Sequence, residues 1–181
     1  MRKALPLAVV TCLCAAPALT PALALDLPAR KAGLWEIKMA FEGRNLPAQS
    51  MEHCIDAETD KLMNSIGGNM RQDVCSKQDV QKSGDTIVVD SVCKIGPATT
   101  TSHAVVTGDF NSAYTVKVMS KREGGPAVPG MPAEGSSNMT IEAKWLGACK
   151  ADQKPGDMII AGRKINIRDM RNMLPGAGQK K

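Results

Sequence analysis

Aromatic residues are scarce in this 181-residue chain: Trp35, Phe41, Phe110, Tyr114 and Trp145 are all it has, against 11 Met. Histidine is scarcer still, with only His53 and His103, so no nucleophile–base–orienter triad can be assembled. There is no P-loop, no dinucleotide fingerprint and no H-E-x-x-H. The absence of any C-x-x-C speaks against a thiol oxidoreductase and a zinc ribbon. Acidic residues fall mostly on outward strand positions, where solvation explains them better than paired-carboxylate chemistry. The expectation is a protein that is not an enzyme and needs no cofactor.

A long uninterrupted apolar run is also missing. Ala4 to Leu19 carries no charge, but Pro6, Pro17 and Pro21 break up a stretch that a spanning helix of about 20 residues would require. Met1-Arg2-Lys3 before it and Ala22-Leu23-Ala24 after it supply the positive start and small-x-small end of a secretory signal peptide. The reading is a leader over 1–24, cleaved before Leu25, and a soluble periplasmic product. Cys12 and Cys14 leave with the leader, since the residues before them fit a lipoprotein box poorly.

Charge is uneven. Residues 25–149 hold 13 Lys+Arg against 15 Asp+Glu, a net of −2, whereas residues 150–181 hold eight against three, a net of +5. The domain is therefore placed at 25–149, with a basic tail over 150–181. Export makes nucleic acid an improbable partner, and weak contact of the tail with a membrane surface is the sharper of two readings. Docking of Ile165 to Leu174 onto the body as a short amphipathic helix is the plainer one.

From Leu34 to Ala148 the hydrophobic period is two. Trp35, Ile37, Met39 and Phe41 alternate with polar residues, and Met139, Ile141, Ala143 and Trp145 do the same in the last strand. Between them lie Gln49–Ile55, Ser76–Lys82, Thr86–Lys94, Thr99–Gly108 and Ala113–Ser120, where Tyr114, Val116 and Val118 share a face. Asp56 offers an N-cap and Gly67-Gly68 a stop for a short helix between the second and third strands. Glu123 to Asn138, with four Gly and three Pro, reads as a long disordered loop.

The expected fold is mostly β: a single antiparallel meander of about seven strands, forming a curved sheet or small barrel, with a candidate C-terminal helix. Curling brings the first and last strands together, so that Trp35 and Trp145 pack and shield open edges.

The even set Cys54, Cys75, Cys93 and Cys149 implies two disulfides in an oxidising compartment. Face parity places Cys93 and Cys149 inward and leaves Cys54 and Cys75 flanking the helix. This ranks 54–75 with 93–149 first; the main rival joins Cys75 to Cys93 across a hairpin.

Ala32-Gly33-Leu34-Trp35-Glu36-Ile37, Met51-Glu52-His53-Cys54, the Cys75 to Cys93 hairpin and Leu146-Gly147-Ala148-Cys149 together resemble a family of small exported bacterial proteins, domain of unknown function 3617. The resemblance covers Ala32 to Cys149. It implies an envelope location, an antiparallel sheet and two disulfides, and it carries over no catalytic residue, cofactor or partner.

Two binding roles remain. One is a non-catalytic module with an apolar interior of Trp35, Ile37, Met39, Phe41, Tyr114, Val116, Ile141 and Trp145, for a small hydrophobic ligand or an envelope protein partner. The other is copper binding through Met51 and His53, whose thioether and imidazole suit Cu(I).

Overall fold

A computed structural model describes residues 27–43, 47–127 and 134–173, with backbone alone at 67–72 and 171–173. The expected leader, the centre of the long loop and the last residues of the tail lie outside the described residues. In chain order the elements are β1 (Gly33–Glu42), β2 (Gln49–Ile55), α1 (Ala57–Val74), β3 (Cys75–Ser83), β4 (Thr86–Ile95), β5 (Ala98–Asp109), β6 (Ala113–Glu123), β7 (Gly135–Gly147), β8 (Asp157–Ile160), β9 (Arg163–Asn166) and α2 (Ile167–Met173).

The strands form one antiparallel sheet in the order β3-β4-β5-β6-β7-β1-β2-β8-β9. The meander is as expected, but the sheet does not close, and β3 and β9 are its edges. Nine strands replace seven because the basic segment after Cys149 pairs with β2 rather than trailing into solvent. The Gly156 amide donates to the Cys54 carbonyl at 2.8 Å, and buried Asn166 donates to Asp157 at 2.8 Å. The domain boundary expected at 149 therefore falls inside the sheet.

The first and last expected strands do meet. β1 and β7 are hydrogen-bonded neighbours with Trp35 opposite Trp145. Shielding of open edges is not their role, since both strands lie inside the sheet. Each indole instead donates to the segment that enters β1: Trp35 Nε1 to the Lys31 carbonyl at 2.8 Å and Trp145 Nε1 to the Ala32 carbonyl at 3.1 Å. Lys31 Nζ sits 3.6 Å from the Trp145 ring centre, a cation–π contact. Phe110 accepts the Lys31 amide at 2.9 Å. Residues 27–32 thus form a strap pinned across one end of the sheet.

Gly33 explains the start of the G-L-W-E motif. Its φ is +131°, and a Cβ there would stand 2.2 Å from the Gly147 carbonyl oxygen and 2.6 Å from Trp145 Nε1. Only a residue without a side chain lets the strap pass so close to β7.

The helix starts as expected. The Asp56 carboxylate accepts the Thr59 amide at 2.8 Å, and the Asp56 amide donates to the Thr59 hydroxyl at 2.9 Å, a reciprocal cap. It does not stop at Gly67-Gly68. α1 continues to Val74 and delivers the chain to the far edge of the sheet. Two Gly in sequence cost helix propensity of about 1 kcal/mol each, a penalty that tertiary contact readily overrides. The long loop is shorter than expected, because β6 extends to Glu123 and β7 begins at Gly135.

The disulfides join Cys54 to Cys149 and Cys75 to Cys93, so the first-ranked pairing is overturned in favour of the rival. Parity misled because it ignored distance along the sheet: β4 lies three strands from β7, too far for Cys93 to reach Cys149. Cys54 is opposite Leu34, which is in turn opposite Gly147, so Cys149 falls within reach of Cys54. At the other edge, the two-residue turn Gly84-Asp85 alone would set Cys75 against Lys94; a register shift between Cys75 and Lys77 sets it against Cys93. Two disulfides are bonds of an oxidising, extracytoplasmic compartment. Among the described residues, no helix is long and apolar enough to cross a membrane.

On loop length alone, removing Cys54–Cys149 should cost about 4.5 kcal/mol and removing Cys75–Cys93 about 3 kcal/mol. Denaturant unfolding of the two double-Ala variants, with non-reducing peptide mapping of the native protein, checks both the order and the connectivity. Gly33→Ala should destabilise by more than about 2 kcal/mol in the same assay, from backbone strain and the displaced β7 carbonyl together.

Candidate functional site

One face of the sheet carries the core, in two clusters. Trp35, Ile37, Ile55 and Ala143 form one, and Ile87, Val89 and Val106 the other. Tyr114 packs against both, 5.7 Å from the Trp35 ring and 4.6 Å from the stacked Phe110 ring. α1 and the strap cover this face, because the chain must cross it to travel from β2 to β3.

The cover leaves a gap. A cavity of about 270 Å³ lies between the sheet, the strap and α1, with Ile37, Met39, Tyr114, Val116 and Ile141 in its walls. These are five of the eight residues expected to form an apolar interior. Trp35 and Trp145 belong to the neighbouring cluster instead, Trp35 fully buried and Trp145 at its margin. Phe41 lies further along β1 opposite Met139, outside the cavity wall. Sequence reasoning missed the strap residues Leu27, Pro28 and Arg30, and it missed Met63 and Asn64 of α1. The i, i+1 and i+4 spacing of Leu62, Met63 and Ile66 marked an apolar stripe, but nothing in it indicated what the stripe would face.

Two larger hollows, of about 710 and 700 Å³, are also present, and the second adjoins the cavity through the shared residues Pro28 and Phe110. One is framed by Asp152, Lys154, Lys164 and Asp169, the other by Lys82, Asp85 and Asp109 near two tight turns. Each carries three or more charged side chains in its wall, where the smaller cavity carries one. The smaller cavity has the apolar lining with few polar groups that small-molecule sites share.

Its polar end is built from three elements. Arg30 Nε donates to Asp60 Oδ1 at 2.8 Å, and the Arg30 amide donates to Asp60 Oδ2 at 2.9 Å. The pair is buried, with side-chain exposures of 8% and 1%. Asp60 stands in the first turn of α1, and its principal partner is a guanidinium 30 residues upstream. Arg30 Nη2 also reaches Met63 Sδ at 3.6 Å. Burial pushes the Tyr114 hydroxyl above its ordinary pKa, against the opposing charge of Arg30.

His53 completes the polar end, and the structure does bring it to Met51. Nε2 lies 3.2 Å from Met51 Sδ. A thioether only accepts, so Nε2 carries the hydrogen and Nδ1 is the bare nitrogen. Nδ1 is buried without a hydrogen-bond partner. Burial first, and the Arg30 charge second, lower the His53 pKa from 6.5 to about 4. An N–H···S contact accounts for the Met51–His53 approach without a metal, and the same Arg30 charge that disfavours a proton disfavours another cation. Among the described residues, no group of three or more His, Cys, Asp or Glu is placed to hold a metal ion. His103 stands apart, with Nδ1 2.8 Å from Asp90 on the exposed surface.

With this geometry in view, comparison with known proteins adds one finding. A family model described as protein of unknown function (DUF3617) matches residues 30–149. The chain belongs to that family. The match begins at Arg30 and ends at Cys149, so this DUF3617 segment includes both disulfides, the ion pair and every cavity-lining residue except Leu27 and Pro28. It excludes β8, β9 and α2. No curated protein and no solved structure matches the chain.

A neutral buried imidazole ties stability to pH. With the folded pKa near 4 and the ordinary value 6.5, the unfolded chain binds the extra proton in between. The stability that neutral His53 contributes is thus complete above pH 6.5 and is lost as pH falls towards 4. The loss should reach about 3 kcal/mol. Denaturant melts from pH 7 to 4 should show this slope in the wild type and its reduction in His53→Gln.

Proposed function

We propose that this DUF3617 protein is an exported, non-catalytic binding module that takes a small apolar molecule into the cavity beneath α1. The observation that carries this reading is the cavity itself: apolar side chains from four strands, one helix and the strap line a recess beneath α1 that opens to solvent. Small-molecule sites are ordinarily concave recesses of this kind, mostly apolar, with a few polar groups that fix orientation. The lining and size of the recess therefore suit a small apolar occupant. The charged N-terminal tripeptide, apolar stretch and Ala22-Leu23-Ala24 support delivery to the periplasm after cleavage of a signal peptide over 1–24. The disulfides agree with that address.

The Met51–His53 contact favours a second reading, a soft metal such as Cu(I), which the neighbouring Arg30 charge opposes. One measurement separates the two. Native mass spectrometry of the protein purified from its own periplasm should show an added organic mass of a few hundred daltons or less; an added copper mass would favour the second reading, and bare protein would count against both. Val116→Phe, which projects a ring into the space, should abolish the organic adduct and weaken binding of an environment-sensitive apolar dye about ten-fold or more, while stability changes by less than about 1.5 kcal/mol. Unchanged dye affinity in a folded Val116→Phe variant would remove the cavity from consideration.

A further inference from the structure

We propose that the molecule held in this cavity is uncharged, and that the Arg30–Asp60 pair is what rejects anions and cations alike. The inference rests on the cavity being a ligand site and adds the class of ligand. Arg30 is the one charged residue in the described lining, and on its own it would suit a carboxylate or phosphate head group. It is not on its own. Both Asp60 oxygens are engaged by Arg30, one through the side chain and one through the backbone, and Asp60 is almost wholly removed from solvent. The polar end therefore carries a net charge of zero.

An anionic ligand beside Arg30 would also meet the negative charge of Asp60 held against that guanidinium, and a cationic one would meet Arg30 itself at the wall, so neither gains a net attraction that offsets the water it gives up. His53 does not alter the sum, since burial and Arg30 keep its imidazole neutral through the physiological range. The remaining polar wall groups, the Asn64 amide and the Tyr114 hydroxyl, are neutral and can bond a hydroxyl or carbonyl. Volume sets the size. A cavity of about 150 Å³ holds benzene, so about 270 Å³ corresponds to roughly ten non-hydrogen atoms, or to that much of a longer chain.

The test uses three probes of one length, 1-octanol, octanoate and octylammonium, titrated against the disulfide-bonded mature protein with Trp fluorescence and calorimetry as readouts. Wild type should bind octanol roughly ten-fold or more tightly than either ion. Substitution should then invert the preference. Asp60→Asn leaves the guanidinium uncompensated, so octanoate should gain affinity and raise the melting temperature of that variant more than that of the wild type, while octanol gains no affinity. Arg30→Met leaves the carboxylate uncompensated, so octylammonium should gain in the same way. If octanoate or octylammonium matches octanol on the wild type, or if neither variant shifts its preference, the charge argument is overturned while the cavity stands. If none of the three binds the wild type, the cavity reading falls and this inference with it. Should one variant fail to fold, the other and the wild-type series still decide the matter.

Discussion

The contact on which the rest of the arrangement depends is the buried bond between Arg30 and Asp60. Taking two charges out of water costs several kcal/mol per ion, which only close geometry and additional hydrogen bonds offset. Here the carboxylate receives both a guanidinium N–H and a backbone N–H from the same residue. That double attachment holds the strap to the first turn of α1, and the strap in turn receives the indole hydrogen bonds of Trp35 and Trp145. Strap, helix and sheet are thereby fixed around a space that none of them fills. A methylene-rich contact in the same place would hold the elements together without giving the space a polar end.

The disulfides act at other points of the same construction. Cys75–Cys93 staples the outermost strand, whose face pattern is largely polar and whose packing is correspondingly weak. Cys54–Cys149 ties the buried end of β2 to the exit of β7, where the chain turns to build β8. With only five aromatic residues to supply large buried area, constraint of the unfolded chain compensates for a modest core. The segment after Cys149 then protects the β2 side of the sheet. Glu52 accepts two hydrogen bonds from the Lys150 ammonium, and Arg168 of α2 reaches Glu58 of α1 at 3.2 Å. Part of the local excess of positive charge is thus used in docking.

Much of the sheet was legible from the alternation of Trp35, Ile37 and Met39 and of Ile141, Ala143 and Trp145, because a half-buried strand imposes a period of two on its own sequence. Strands as short as β8 and β9 offer little to read: four residues are too few for a period, and Arg163-Lys164 masks the pairing. The helix start was readable in Asp56, since capping is local. Its end was not, because continuation through Gly67-Gly68 is decided by where the chain must go next. Half-burial also explains the cavity residues that were named, while the pairing of Arg30 with Asp60 escaped notice because each has an ordinary local explanation, one as a surface charge and the other as a carboxylate at a helix start.

What the sequence determined by itself is everything carried by neighbours along the chain: the strand faces, the cap at Asp56, the count of oxidisable cysteines and the export signal expected of its first residues. Tertiary structure decided what depends on separation in space. It paired Cys54 with Cys149 and Cys75 with Cys93, set Trp35 opposite Trp145, added the last strands to the sheet and brought Arg30, His53 and Asp60 to one end of a cavity. Local preferences act within a few residues, whereas these contacts span about 20 to 110 positions and are chosen only when the whole sheet and its cover assemble.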